Sequence, residues 1–297
     1  MSQTVTTSTV TDRPPTDGTS TDRTSIDRVS LDPDRHVPGR RDPGLGAALH
    51  AEWLKFWSVR STRWSLGLLF VLGAGLTTLV CWAAAADLAS GEAGESPASF
   101  LTWGLLFSQL TAIALGTLVV TSEYGTGMIR ATITAVPHRG RVVLAKVLVL
   151  AGVLFVAGVV TAFVGYLGGN AFLDREGIGM ALSDDGVLRA LLGNGLYLAG
   201  LGVLALGAGF LIRNTGAALT VGIALVLIVG NLAYALPGTW GEWVAKLMPG
   251  NAGGAVAQVV PFTGGASLAP WTGFAVFAAE ALAVLLAGYV VLRRRDA

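Results

Sequence analysis

The sequence is short of charge. Only 13% of its 297 residues are Asp, Glu, Lys or Arg, where soluble domains carry about 25%. With 53% hydrophobic residues and long uncharged runs, this excludes an ordinary soluble domain and reads as a polytopic membrane protein. Lysine is scarcer still: Lys55, Lys146 and Lys246 are the whole set, followed by Phe, Val and Leu. A phosphate-binding loop needs G-x-x-x-x-G-K-[S/T], so none can be built here. No polar stretch is long enough for a nucleotide-binding domain either. One cysteine, Cys81, excludes an internal disulfide and a multi-cysteine metal site. The three histidines, His36, His50 and His138, lie outside every apolar run, and none forms H-E-x-x-H. An intramembrane metalloprotease or serine protease is therefore excluded, and no metal site or cofactor is expected. A net charge of +1 gives no footprint for nucleic acid.

What is present is a set of apolar runs. A membrane-crossing helix needs about 20 apolar residues. Six runs qualify, at about 64–86, 100–121, 142–168, 188–212, 215–236 and 270–292. The third is long enough to tilt or to extend into water. The fourth and fifth meet at Ile212-Arg213-Asn214-Thr215, enough for a tight hairpin. Orientation follows from Lys and Arg, which concentrate on the cytoplasmic side. With the N-terminus inside and Lys146 counted with its adjoining loop, 17 of the 20 Lys+Arg fall on inside segments. Only Arg175, Arg189 and Lys246 fall outside, beside eight acids. Five spans would put Arg293-Arg294-Arg295 outside. The expected fold is thus an all-α polytopic membrane protein of six transmembrane helices with both termini cytoplasmic, multi-pass in the cell membrane.

Residues 1–44 differ in kind. Ser, Thr, Asp, Arg and Pro dominate, Asp recurs at 12, 17, 22, 27 and 32, and no signal-peptide apolar core appears. Such a segment cannot bury enough surface to offset its ordering entropy, so a disordered cytoplasmic tail is expected. Residues 45–297 form the membrane domain. Its first element is LHAEWLKFWSVRS, Leu49 to Ser61. On a helical wheel Leu49, Trp53, Phe56 and Trp57 share one face, with Glu52, Lys55 and Ser58 elsewhere. This is the pattern of an amphipathic interfacial helix, aromatics in the headgroup layer and charges in water. A plain anchor and an elbow that transmits motion need the same geometry.

The longest polar piece between spans is EYGTGMIRATITAVPHRGR, Glu123 to Arg141. Gly125 and Gly127 end or bend the second span. Met128, Ile129, Ile133 and Val136 then recur at near-helical spacing until Pro137 stops the pattern, giving a short amphipathic helix over about 126–136. Arg130 projects from it, and His138, Arg139 and Arg141 crowd its exit. An ordinary positive-inside loop would show the same charge. It would not need the glycine pair, the apolar ridge and the proline stop, which fit a helix built to sit in a partner's groove.

The sequence of this loop resembles the permease subunits of ABC-2 type ATP-binding-cassette transporters, particularly actinobacterial ones. The residues that carry the resemblance are Glu123, Gly125, Thr126, Arg130, Thr132, Pro137, Arg139 and Lys146. The six spans, the preceding amphipathic helix and the long segment between spans five and six fit as well, so the likeness covers about 45–297. It implies a non-enzymatic permease, an exporter, moved by a separate ATPase chain that binds the ATP and docks on the 122–141 loop. It also implies a pair of permease chains, homodimer or heterodimer, on two ATPases. Glu123 would then hold the loop against the bundle through a nearby arginine. The competing class is an ion-coupled carrier or channel, which calls for paired intramembrane charges, broken helices or inverted repeats; the sequence offers one carboxylate and no convincing repeat.

Three further features bear on a transport pathway. The fourth span has glycines at 193, 200 and 207 and again at 195, 202 and 209, on nearly opposite faces, which predicts a helix packed on two sides. The segment 237–269 carries Trp240, Trp243, Val244 and Leu247 at helical spacing, after which Pro249, Gly250, Gly253 and Gly254 should break the helix. The resemblance implies short re-entrant helices there. Glu280 is the one ionisable residue near the middle of a span, costly at that depth and a pathway candidate together with Gln109, at similar depth on the second span. With no Lys or Arg at that depth, Glu280 is expected to be protonated, wet, or hydrogen-bonded to a group such as Gln109 or Thr111.

Overall fold

The computed structural model describes residues 44–91, 94–129, 138–233, 235, 239–260 and 267–295. Among these, all regular structure is helical. Helix α1 (Leu45–Ser58) is separated from α2 (Arg60–Ser90) by Val59, whose extended backbone (φ −80°, ψ 120°) breaks the helical ladder for one residue. A short turn, α3 (Pro97–Phe100), leads into α4 (Leu105–Thr126). Then come α5 (Arg139–Arg175), α6 (Val187–Ile212) and α7 (Thr215–Ile223), which runs through a π-helical turn (Ala224–Val229) into α8 (Gly230–Ala233). Helices α9 (Thr239–Leu247) and α10 (Pro249–Gly254), a 3-10 turn (Ala255–Ala257) and α11 (Pro270–Arg295) complete the order.

Six helical stretches are long and apolar enough to cross a membrane: Arg60–Ser90, Pro97–Thr126, Arg139–Arg175, Val187–Ile212, Thr215–Ala233 and Pro270–Arg294. These are the six expected runs, most of them longer at one or both ends. Apolar composition marks only the part that needs an oily environment, whereas a helix continues wherever its hydrogen-bond ladder is intact. The third span shows this most: its 37 residues reach about 55 Å at 1.5 Å each. Its far end is held by the polar side chain of Asn170, which accepts from the Met180 amide at 2.8 Å, and by Tyr166, which donates to the Met180 carbonyl at 2.6 Å. The 1–43 tail lies outside the described residues, as do the termini of the fifth-span run beyond Ala233, save Ala235.

Helix α6 is the centre, packed between α5 and α4 on one side and α11 on the other. Its two glycine rows explain this. A Cβ on Gly195 would sit 2.5 Å from the Phe155 carbonyl, and one on Gly202 2.3 Å from Leu154 Cδ1, both on α5. On the opposite face a Cβ on Gly200 would strike the Phe277 ring at 2.4 Å, and one on Gly207 would meet the Leu285 amide at 2.7 Å, both on α11. In lipid, where no hydrophobic effect drives helices together, close backbone approach of this kind supplies the packing.

The Pro/Gly stretch after α9 does not break the chain; it is itself the helix α10. Pro249 stands at its first turn, where its fixed φ suits a helix and its missing N–H costs no bond. Its glycines are required by neighbours: a Cβ on Gly250 would lie 2.1 Å from the Val226 carbonyl. Helix α9 does form over the predicted tryptophan pattern. It buries Gly241 and Ala245 and leaves Trp240 and Trp243 exposed.

Candidate functional site

Helix α1 turns the expected arrangement inside out. Ala48, Glu52, Lys55 and Phe56 recur at helical spacing and face the bundle, while Trp53 and Trp57 stay exposed and stack edge-on at 5.6 Å. The reason lies across the interface. Glu123, in the last turn of α4, and Lys146, in the second turn of α5, are each 1% exposed and need partners, because an isolated buried charge is prohibitively costly. Lys146 bonds to Glu123, and also to Glu52 Oε2 at 2.8 Å; Lys55 closes the set on Glu123. Two carboxylates and two ammonium groups thus form a neutral buried cluster joining α1, α4 and α5. Glu52 and Lys55 are therefore not the solvated face of a surface helix. Glu123 is held by lysines rather than by an arginine among the described residues.

The rest of this end is tied to the same point. Gly127 ends α4 in the left-handed region (φ 72°), its N–H bonded to the Tyr124 carbonyl at 3.3 Å. Gly125 lies inside the helix. Arg213, the turn between α6 and α7, itself sits at φ 59° and lays its guanidinium over the Tyr124 ring at 4.9 Å. Thr215 bonds to Thr121 at 2.9 Å. Arg139 Nη1 donates to the carbonyls of Leu292 and Arg293, at 3.2 and 3.0 Å, and so caps the last turn of α11. Arg139 and Arg141 line an open cleft with His138, Tyr289 and Arg293. Both ends of the 122–141 loop are therefore tied to α1, to the α6–α7 turn and to the last turn of α11.

Ile129, expected on the docking ridge, is instead 7% exposed and belongs to the protein's own core; Met128 beside it is half exposed. Arg130, Ile133, Val136 and Pro137 lie outside the described residues. Helix α4 stops at Gly127 and helical backbone resumes at Met128, so that Ile129 packs into the bundle while its neighbour Met128 stays half exposed.

About 21 Å along α4 from Glu123, counted at 1.5 Å per residue, Gln109 opens onto a cavity of about 410 Å³. Its walls come from α4, α6, the π-helical turn, α8, α10 and the segment entering α11. Tyr197, 1% exposed, donates to Gln109 Oε1 at 2.8 Å and lies 3.4 Å from the Gly250 carbonyl. Arg189 closes one side, its guanidinium donating to the carbonyls of Ala255, Val256 and Val259 at 3.3, 3.1 and 3.4 Å. Sequence reasoning singled out Gln109 but missed the cavity, because α10 was read as a break.

Glu280 is not part of it. It is half-buried on a flank of α11, and no hydrogen bond joins it to Gln109 or Thr111 among the described residues; its Oε2 is buried without a partner there. Gln109 is engaged by Tyr197 instead. No group of three His, Cys, Asp or Glu side chains that could hold a metal occurs among the described residues. Compared with known proteins, the chain matches no family model and no curated sequence.

Proposed function

We propose that the chain is the membrane-embedded permease subunit of an ATP-binding-cassette exporter, acting in the cell membrane and moved by a separate ATPase that docks on the 122–141 loop. The observation that carries this reading is the Glu52–Lys146–Glu123–Lys55 cluster at the two roots of that loop. A connector that only joins two spans needs no buried ionic lock. A lever does: force on the loop must reach α1, α4 and α5 together rather than be lost in loose side chains. The sequence has no phosphate-binding loop, so on this reading ATP is bound by a partner chain. With Ile129 taken up by the protein's own core, the contact with that partner falls to Ile133 and Val136, rimmed by Arg130, Arg139 and Arg141. Two such permease chains, alike or different, would work with two ATPases.

The test is co-purification with an ATPase found encoded in a neighbouring reading frame, together with stimulated ATP hydrolysis. An interface anchor truncated in this way costs about 2 kcal/mol or more, roughly a thirtyfold loss of affinity. Ile133→Asp should therefore abolish both signals while the chain remains folded in the membrane. Binding and turnover that survive unchanged would show that the loop is a connector and that the reading is wrong.

A further inference from the structure

The cavity around Gln109 has a chemistry of its own. Its walls are mixed: Leu105, Leu106, Val226 and Leu227 are apolar, and amide or hydroxyl side chains punctuate them. Among the described residues that line it, Arg189 is the one charged side chain and no carboxylate appears. A cationic ligand would thus meet a guanidinium and no counter-charge. Three of that guanidinium's five N–H groups are taken by backbone carbonyls, which leaves two for an acceptor on a ligand.

The amides are oriented by the bonds they already make. Asn231 spends its Nδ2 on the Leu227 carbonyl at 2.6 Å, and Asn251 its Nδ2 on the Ala245 carbonyl at 2.9 Å. Each keeps an Oδ1 with no partner among the described residues. Gln109 does the reverse: its Oε1 is taken by Tyr197, which leaves its Nε2. The lining therefore offers acceptors and donors side by side. A carboxylate or phosphate only accepts and would leave the two asparagine oxygens unmatched; a hydroxyl or an amide N–H satisfies both kinds. The volume of about 410 Å³ falls in the usual range of small-molecule sites, about 300–1,000 Å³.

One wall is also irregular in a way that points to a ligand rather than to packing. The fifth span widens into a π-helical turn at Ala224–Val229, and Val226 and Leu227 of that turn face the cavity. Such turns are rare and concentrate at functional sites. Here the turn carries the Val226 carbonyl to Gly250 of α10, so that the span and the α10 segment form one rim.

From these observations we infer that this cavity binds uncharged amphipathic molecules, an alkyl or aryl body bearing hydroxyl or amide groups. The inference deepens the exporter reading and rests on it for the claim that such a molecule is cargo. Binding itself needs no ATPase, so the two can fail separately.

The test uses the full chain alone in nanodiscs of zwitterionic lipid. The probe is dodecyl β-glucoside carrying a diazirine on its alkyl chain, and labelled peptides are read by mass spectrometry. Unlabelled dodecyl β-glucoside should compete saturably. Dodecyl trimethylammonium should not compete, and dodecyl phosphate should compete less well than the glucoside. Labels should fall on the α4 segment around Gln109, the π-helical turn and α10. Gly254→Leu puts a side chain into the site from a position where a Cβ has room, its nearest neighbour being Gln258 Nε2 at 3.7 Å; it should lower labelling about tenfold or more, equivalent to about 1.4 kcal/mol. Asn231→Leu, at an exposed position, removes one acceptor and should lower it severalfold if Gly254→Leu proves to fold poorly. Labelling spread without saturation over exposed apolar positions such as Leu79 and Val160 would overturn the inference. So would labelling indifferent to both variants, or displacement by the ammonium or phosphate compound as good as by the glucoside.

Discussion

The two ends of this helix bundle treat polarity in opposite ways. At one, Glu52, Lys55, Glu123 and Lys146 are gathered into a buried ionic cluster with no net charge. At the other, Gln109, Tyr197, Asn231 and Asn251 line a cavity with neutral groups, and Arg189 beside them bonds three backbone carbonyls. Full charges make a lock. Any rearrangement that parts them leaves a buried ion unpaired, at a cost of about 3–5 kcal/mol. Neutral amides and hydroxyls exchange partners for about 1 kcal/mol each, so that end can accept and release a ligand. On the proposed function, the contrast is that of a stiff end that receives force and a yielding end that holds a molecule.

The comparison breaks most sharply at Lys146. Lys146→Met would take away the partner of Glu52 and leave Glu123 to Lys55 alone, one carboxylate in excess, and the purified protein should lose about 3 kcal/mol of stability or more, read as a large fall in thermal midpoint. Adding Glu123→Gln should restore much of it by removing the excess negative charge and leaving Glu52 and Lys55, three residues apart on α1, to balance each other. A Lys146→Met protein that melts like the parent would mean the cluster is not a lock.

A smaller effect is expected at the other end from Gly193→Val. A Cβ there lies 2.1 Å from the Val256 carbonyl, so α6 and the turn after α10 must part; overpacking of this kind costs about 1–3 kcal/mol. Thermal unfolding checks it, and an unchanged midpoint would show that the Val256 turn yields freely. The smallest effect belongs to Lys55. Its side chain is 30% exposed against 1% for Lys146, so Lys55→Ala should cost less than about 1 kcal/mol. A loss as large as that of Lys146→Met would move the weight of the cluster to α1.

Much of the fold was legible because it follows from composition. Long apolar runs announced six spans, and the seven-residue glycine rows announced that α6 is packed on two sides. Three features were hidden, each for a physical reason. Helix periodicity separates the aromatic face of α1 from its charged face, but in a membrane protein the polar face can be the inner one, so Glu52 and Lys55 were assigned to water. The run Ala-Leu-Val-Leu-Ile-Val at 224–229 carries no mark of a π-helical turn, since uniformly apolar residues have no phase. Pro249 to Gly254 reads as a helix breaker by propensity, yet close approach to Val226, Tyr197 and Phe277 overrides propensity there. The cavity was invisible because it depends on the last two.

The central claim is that the charge-locked end faces the compartment that holds ATP and the cavity end faces away from it. Cysteine labelling measures this directly, and the native Cys81 is fully buried and gives little background. Glu95 and His138 are both exposed and lie at opposite ends of the second span and its following loop. In intact cells a membrane-impermeant maleimide should label Glu95→Cys at once and His138→Cys only after permeabilisation. The reverse order would put the cluster and the 122–141 loop outside, away from any ATPase, and would contradict the account.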